Sequence, residues 1–269
     1  MSRYEFGFVG TGNMGGALAR AAAGSTSPER IFVSNRTPEK ALRLAKELGC
    51  ACGNNEEAAR ESRFLMLGVK PQMMSGLLAS IAPVLATRTD RFVLVTMAAG
   101  LTMEKILAMA GLRCPVIRIM PNTPASIGQG MILCTANDLV TDGEMADFQS
   151  GLHAAGRFDS LDENLIDAGS AVSGCGPAFA DLFAEALADG GVACGLPRAK
   201  ALEYAAQMLS GAAQMILQSG SHPGALKDAV CSPAGSTIAG VRVLEQKAFR
   251  AACMDAVIAA YQRTRELGK

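Results

Sequence analysis

The sequence predicts an α/β fold, with a parallel-sheet domain over residues 1–160 and an all-helical domain over residues 161–269. Three observations carry this reading. The chain opens on the apolar run Phe6-Gly7-Phe8-Val9, a glycine-rich turn from Gly10 to Gly16, and the helix-prone Ala17-Leu18-Ala19-Arg20-Ala21-Ala22-Ala23, which is strand, loop and helix in succession. Further short apolar runs recur up to residue 160, several ending in a polar, glycine or proline turn. After Asp162 the strand-like runs vanish and the chain becomes Ala-rich.

In the opening turn the glycines have separate reasons to be there. Gly10 permits the tight exit from the strand, Gly12 lets the backbone approach a pyrophosphate, and Gly15 lets the helix pack against the sheet. Free N–H groups and the positive end of the helix dipole favour a bound anion by about 0.3–1 kcal/mol, and up to about 2 kcal/mol when partly buried. Gly10, Gly12, Asn13, Met14 and Gly15 are therefore candidate cofactor-binding residues of a Rossmann dinucleotide-binding domain.

Composition narrows the ligands. The chain has 25 basic and 25 acidic residues and no basic run, so nothing points to a nucleic acid or an anionic membrane as partner. It has neither a leader-like start nor an apolar run of the roughly eighteen residues that a membrane span needs, which points to a cytoplasmic protein acting on small molecules. The eight cysteines form no CxxC pair and do not cluster with His153 or His222, so no metal site is expected. Most should be buried free thiols filling small gaps in the core. With no Trp and 49% hydrophobic residues, the cores must be packed from Ala, Leu, Ile, Val and Met, which suits closely spaced helices.

After the first helix, Arg30-Ile31-Phe32-Val33 reads as a second strand, ending at Ser34-Asn35-Arg36-Thr37. An acidic residue about twenty positions past the glycine loop would bind the ribose diol of NAD, and Asn35 stands there instead. No carboxylate repels a 2′-phosphate. Ser34 and Asn35 can donate to one, and Arg36 can offer its fork, worth roughly 1.5–3 kcal/mol for a charged hydrogen bond. The cofactor predicted is NADPH, with NADH as the alternative. Asn35 and Thr37 can equally turn the chain and cap the next helix, Pro38 to Leu48, and both roles can hold.

Asn54 to Ala58 reads as a capped short helix, and Asn55 joins the cofactor-binding candidates. A fourth strand runs from Phe64 to Val69. Because ligands bind at the carboxyl ends of parallel strands, Val69, Lys70 and Pro71 should lie beside the cofactor. A lysine there is more often solvated, or paired with a phosphate or carboxylate, than a general acid. Phe92 to Thr96 is the next strand, and the small Ala98 and Ala99 beyond it leave room for a flat ring. Val116 to Met120 ends in Pro121-Asn122-Thr123-Pro124, where Asn122 can hydrogen-bond a ligand. Gly128 to Cys134 adds a strand, Asp142 to Ala155 a helix that carries His153, and Gly156 to Ser160 a last pairing.

In the second domain, helix signals run over Glu163 to Ser170, Pro177 to Cys194, Pro197 to Ser219, Pro223 to Val230, and Ser236 to Leu267 with a break near Lys247. Prolines mark starts, and Gly195 and Gly220 mark stops. The helix from Ala199 carries Leu202, Ala205, Ala206, Leu209, Ala213, Ile216 and Leu217, a face too broad for one neighbour. A second copy of the chain is the natural supplier, so this is read as a dimerisation domain.

Two linkers hold more glycine and polar residues than a helical bundle needs: Ser173 to Ala178, and Leu226 to Ile238. The second contains Leu226-Lys227-Asp228, Ser232-Pro233, Gly235 and Thr237-Ile238, with Leu244-Glu245 and Phe249-Arg250 following. With Met120-Pro121-Asn122-Thr123-Pro124, Val69-Lys70-Pro71-Gln72 and Gly195-Leu196-Pro197-Arg198, these stretches make the chain resemble the pyrroline-5-carboxylate reductases along essentially its whole length. The resemblance implies reduction of 1-pyrroline-5-carboxylate to L-proline, the last step of proline biosynthesis. It also implies an active site shared across a homodimer, with a decamer of dimers as the larger assembly.

The residues agree with a small imino acid as substrate. Gly235, Ser236 and Thr237 should begin a helix, whose N–H groups and hydroxyls can hold a carboxylate; the resemblance gives that role to this turn, with Ser232 beside it. Thr237 is the catalytic candidate, as a hydrogen-bond partner of the ring nitrogen. Taken alone, the same residues could be no more than a helix cap. Three departures from the family pattern stand out: Gly220 stands where some relatives have a glutamate near the substrate, which puts an acid/base role for that position in doubt; Cys175 replaces a serine; and Ala234 replaces the first glycine of a pair, a change that is harmless if its φ is negative. The rival readings are another small NADP-dependent reductase, deazaflavin-linked or acting on a hydroxyacid, and an NADP-sensing regulatory subunit.

Overall fold

The opening strand, β1 (Tyr4–Val9), is almost wholly buried because apolar layers cover both its faces. The computed structural model describes residues 2–268, and these divide into two units. The first holds the chain up to Cys175 together with the residues from Ala260 onward, and the second holds Gly176–Ala259.

In the first unit eight strands form one sheet. They are β1, β2 (Ile31–Ser34), β3 (Ala51–Gly53), β4 (Ser62–Leu67), β5 (Val93–Thr96), β6 (Val116–Met120), β7 (Gly130–Ala136) and β8 (Gly156–Ser160). Their order is β3-β2-β1-β4-β5-β6-β7-β8, parallel throughout except where β7 runs against β6. The order reverses between β1 and β4, and in such sheets the crevice outside that reversal is where ligands bind. Seven helices belong to this unit: α1 (Asn13–Ser25), α2 (Pro38–Leu48), α3 (Asn55–Glu61), α4 (Pro71–Ala86), α5 (Met103–Ala110), α6 (Asp142–Gly151) and α7 (Glu163–Ser173).

Side-chain alternation explains the continuous apolar runs. Phe64 and Met66 enter one core layer, while Leu65 and Leu67 enter the other, so both faces of β4 must be apolar. In the first layer Phe6 lies against Phe64 with ring centroids 5.4 Å apart, and Phe148 of α6 closes on Phe64 at 5.5 Å. Three elements were not apparent in the sequence: β3, α4 and α5. His153 stands in a separate 3₁₀ turn, His153–Ala155, because α6 ends at Gly151.

The two units part at Cys175, later than the change of composition near residue 160. The physical reason is α7, which packs on the sheet and carries the acids that face Arg118. That arginine, fully buried on β6, pairs with Glu163 at 3.5 Å and with Asp167. The chain's end also returns to the first unit. Gly100 has φ of 75°, and a Cβ there would stand 2.7 Å from the carbonyl oxygen of Thr264 and 2.8 Å from the amide nitrogen of Gly268. Lys105 donates to the Gly268 carbonyl, a cation at the carboxyl end of a helix.

The second unit is built of α8 (Gly176–Ala193), α9 (Arg198–Ser219), α10 (Pro223–Ala229), α11 (Ser236–Gln246) and the first turns of α12 (Phe249–Leu267). The break expected near Lys247 falls there, with Ala248 at φ 56°. Within this unit Ala188, Ala201 and Ala205 are the buried apolar residues, and large ones such as Met215 (56% exposed) and Leu217 (68%) are bare. The expectation of mostly buried cysteines is corrected. Cys114 and Cys134 are buried, Cys194 and Cys253 are exposed, and the other four are half-buried; Cys52 stands in the edge strand β3 with Cys50 just before it, Cys175 closes the first unit, and Cys194, Cys231 and Cys253 lie in the second unit, much of which its own helices leave uncovered.

Two ion pairs tie α6 to the sheet region: Asp147 with Arg63 of β4 at 2.7 Å, and Glu144 with Arg91 just before β5. Glu144 accepts from Nε of Arg91 at 2.5 Å and from its Nη2 at 2.8 Å, while forming a capping box with Thr141. The Arg91 guanidinium, in spite of burial, holds the Glu144 carboxyl down at about 2. A carboxylate whose folded pKa is depressed stabilises the fold above its unfolded pKa, and that contribution is lost as pH falls through the folded value. Urea unfolding of the protein and of Glu144→Gln should therefore differ most above about pH 4.5 and converge toward about pH 2. A difference that persists undiminished at the acid end would refute the role given to this carboxylate.

Candidate active site

Local geometry at the sheet's carboxyl edge follows from three glycines. Gly10 leaves β1 with φ of 95°, and its amide donates to the Ser34 carbonyl at 2.9 Å. A Cβ on Gly15 would stand 2.1 Å from the Gly10 carbonyl oxygen, and one on Gly68 would stand 2.5 Å from the same atom. The turn, α1 and the exit of β4 are thus pressed together at distances that only glycine permits. Gly12 differs: a Cβ there would meet nothing within 4 Å, so its backbone faces open space at the start of α1. No side chain caps that helix and no acid stands in its first turn, which leaves its first N–H groups available to an anion.

Beside this turn lies a cavity of about 640 Å³, whose walls include Gly10, Gly12, Asn35, Arg36, Asn55, Val69 and Lys70. Asn35 accepts from the Thr11 amide at 3.2 Å and donates to the Thr37 carbonyl at 3.1 Å, so it braces the turn as well as lining the wall. Arg36 is exposed, and its one side-chain contact is a long 3.8 Å approach to the Met73 sulfur. Asn13 lines a neighbouring hollow, and Gly15 and Met14 belong to the start of α1. Pro71 begins α4, and Ala98 and Ala99 follow β5; these three lie farther along the same edge and outside the cavity walls.

Two expectations are corrected. Ser34 is fully buried, and its hydroxyl lies 2.9 Å from Asn55 Oδ1 and 3.3 Å from the Phe8 carbonyl. Its single proton is taken inside the protein, so Ser34 supports Asn55 and does not itself offer a donor to a phosphate. Asn122 is also occupied. Its amide donates to the Ser173 carbonyl and accepts from the Met131 amide, both at 2.9 Å, which ties the end of β6 to α7 and β7. Conversely, Lys40, Met73 and Leu77 line the cavity without having been singled out in the sequence. The spacing of Lys40, one helical turn past Arg36, was the available signal.

The residues present fit a phosphorylated dinucleotide. The glycine turn presents backbone N–H groups, Arg36 and Lys70 supply positive charge, and no acid stands among the cavity's lining residues. Among the described residues no cluster of three His, Cys, Asp or Glu is placed to hold a metal ion.

The second candidate group lies in the helical unit. Gly235 is the N-cap of α11, with no side chain capping the helix, and its amide donates to the Ser232 carbonyl at 3.0 Å. A Cβ on Gly235 would stand 2.4 Å from the Ser232 hydroxyl oxygen, so a side chain there would displace that hydroxyl. Ser232, Ser236 and Thr237 are exposed, and the first turn of α11 carries no acid. His222 is used structurally, its Nδ1 accepting from the Gly224 amide at 3.0 Å as the cap of α10.

Two family models match the chain. One, described as pyrroline-5-carboxylate reductase dimerisation, covers residues 163–267, and the other, described as NADP oxidoreductase, coenzyme F420-dependent, covers residues 5–100. The chain is 40% identical to the pyrroline-5-carboxylate reductase of Escherichia coli (strain K12) and 42% identical to that of Synechocystis, in each case over 268 residues and 98% of both chains. Among solved structures it is similar to the pyrroline carboxylate reductase of Plasmodium falciparum with NADP bound, with a TM-score of 0.89 and 30% identity over 100% of both chains. The match to the deazaflavin-linked description ends at residue 100, within the dinucleotide-binding part, and the helical half matches a different description.

The condition on Ala234 fails, since its φ is 58° and it stands in the left-handed region that favours glycine. Such a residue costs about 1–2 kcal/mol, against about 0.4–1 kcal/mol that glycine would lose through the greater freedom of the unfolded chain. Ala234→Gly should therefore stabilise the protein by about 0.5–1 kcal/mol with turnover retained, read from urea unfolding midpoints. A less stable variant would show that Ala234 is not strained.

Proposed function

The chain belongs to the pyrroline-5-carboxylate reductase family, and from that membership we infer how its own residues serve the reaction. It is an NAD(P)H-dependent oxidoreductase acting on a C=N bond, reducing 1-pyrroline-5-carboxylate to L-proline, the last step of proline biosynthesis. The observation that carries this is likeness across 98% of the chain, so that the dinucleotide-binding and helical halves agree on one reaction.

The protonated cyclic imine is already an electrophile. NADPH supplies the hydride, and the nitrogen keeps the proton it brought, so the product amine forms without a proton donor from the protein. The protein's task is to hold an anionic cofactor and a zwitterionic substrate in register and exclude water, and positioning of that kind can be worth about 7–11 kcal/mol. The roles proposed for its residues are supported by the lining of the cavity and by the family resemblance. Gly12, Asn13 and Met14 give backbone N–H groups to the pyrophosphate, with Lys70 as a nearby charge. Asn35, Arg36 and Asn55 face the phosphorylated ribose. Val69, Pro71, Ala98 and Ala99 leave the sheet edge small enough for the nicotinamide ring. At the start of α11, the N–H groups after Gly235 and the hydroxyls of Ser232 and Ser236 take the substrate carboxylate. Thr237 hydrogen-bonds the ring nitrogen.

We further propose that the protein is a homodimer joined through its helical unit. The match to a dimerisation description over residues 163–267 supports this, as do the bare apolar faces of α9. Light scattering reads whether such dimers go on to a decamer. Eight unpaired thiols and a reducing cofactor suit a cytoplasmic setting. Among the described residues no helix is long and apolar enough to cross a membrane.

Purified protein with NADPH should convert 1-pyrroline-5-carboxylate to proline; intact NADPH binding without turnover would sink the assignment. Arg36→Ala should weaken NADPH by tenfold or more, as roughly 1.5–3 kcal/mol of charged hydrogen bonding implies, and NADH by less than about twofold. Equal losses would remove the phosphate role from Arg36. Thr237→Ala should lower kcat/KM for the imine by about tenfold or more with NADPH affinity unchanged, and unaltered kinetics would take Thr237 out of the site.

A further inference from the structure

The cavity beside the glycine turn has a charge pattern that Arg36 and Lys70 do not exhaust. Lys40 stands on its wall, in the first turn of α2, and also lines the neighbouring hollow with Gly12 and Asn13. A cation in this place is unfavourable for the helix itself. Lys40 lies at the positive end of the α2 dipole, and the residues three and four positions away are Arg36 and Thr37 before the helix and Arg43 and Leu44 within it, of which two are cations and none is an acid. Among the described residues no carboxylate comes within ion-pair distance of Lys40 or Arg36, although Glu47 on the same helix is paired with Arg20 at 2.6 Å. The Thr37 side chain makes no capping bond, although its carbonyl accepts from the Lys40 amide at 3.1 Å, so the α2 N-terminus has no side-chain cap. Two unpaired cations one helical turn apart, beside an uncapped helix start and on a wall free of acid, repel each other until a multiply charged anion joins them.

We propose that Lys40 is a specificity-determining residue, binding the 2′-phosphate of NADPH jointly with Arg36. The inference rests on the NADPH reading above and extends it to a side chain that reading did not use. Of the two cofactors only NADPH carries a dianion on the ribose, whereas both carry the pyrophosphate at Gly12. Lys40 therefore discriminates between them if it faces the ribose, and does not if it serves the pyrophosphate from the second hollow. With two cations on one phosphate, NADPH binding should also weaken with salt more steeply than NADH binding.

The test is calorimetric titration of the intact protein with adenosine 2′,5′-bisphosphate, adenosine 5′-monophosphate, NADPH and NADH. Lys40→Ala should weaken the bisphosphate and NADPH by about tenfold or more while changing the monophosphate and NADH by less than about twofold, and Lys40→Arg should restore most of the loss. Equal losses for both members of each pair would assign Lys40 to the pyrophosphate or to folding, and no loss would leave it a solvated lysine; either overturns the proposal. If the unaltered protein prefers neither the bisphosphate nor NADPH, the Arg36 reading falls too. A preference that survives in Lys40→Ala overturns only the role of Lys40.

Discussion

The contact on which the site depends is that of the Gly10 carbonyl oxygen with the α-carbons of Gly15 and Gly68. With Cβ positions 2.1 and 2.5 Å from that oxygen, neither partner can carry a side chain without moving α1 or β4. Bringing α1 this close to the sheet places its free N–H groups at the crevice where the strand order reverses. The Gly68 contact holds β4 equally close, which puts Val69 and Lys70 on the same wall as Asn35 and Arg36. The placement proposed for the cofactor's charges thus rests on backbone packing before any side chain takes part.

Around that frame, polar groups that look available to a ligand are divided between holding and binding. Ser34 and Asn122 are spent inside the protein, one beneath Asn55 and the other between β6, β7 and α7. Asn35 is shared, since its amide steadies Thr11 while the residue lines the cavity. Among the described residues Arg36, Lys40 and Lys70 have no carboxylate partner, and a surface that keeps its cations unpaired gives up the modest stabilisation of ion pairs for readiness toward an anion. The helical unit is incomplete in a different sense. Residues such as Met215 and Leu217 remain bare within one chain, and burying such side chains gains roughly 1.5–3 kcal/mol each when a second chain covers them.

Much of the fold was legible because its period and punctuation are strong. The buried strands β1, β2, β4, β5 and β6 are apolar on both faces, and α8 to α12 begin and end where proline, glycine and the Lys247 break suggested. The elements missed had weak signals: β3 has three residues and is only half-buried, and α4 is apolar nearly all round, with Pro71 at its head and Pro83 inside it. At the site, sequence spacing gave the neighbourhood of each residue but not the direction of its hydrogen bonds, which is why Ser34 and Asn122 were expected to face a ligand. Lys40 was missed for the opposite reason. Next to Glu39 it reads as an ordinary solvated helix start, and only the cavity, whose walls include Lys40 and not Glu39, sets the two apart.

The same physical device occurs twice in this chain, and the two copies are built to different tolerances. At Gly12 and at Gly235 a helix begins without a side-chain cap, so its N–H groups are kept for a ligand. The first copy is locked by glycine contacts on both sides and can hold a fixed pyrophosphate in one place. The second is exposed, is preceded by Ala234 in a strained left-handed conformation, and belongs to a unit with few buried side chains of its own. Strain of that kind persists where surrounding structure overdetermines the backbone. Within one chain little packs around the Ser232–Thr237 turn, so the constraint that holds it must come from what covers it: a second chain, a bound imino acid, or both. Dimer formation and substrate binding then draw on the same source of order. Because the imine needs no acid from the protein, that order is most of what this turn has to contribute to the reaction.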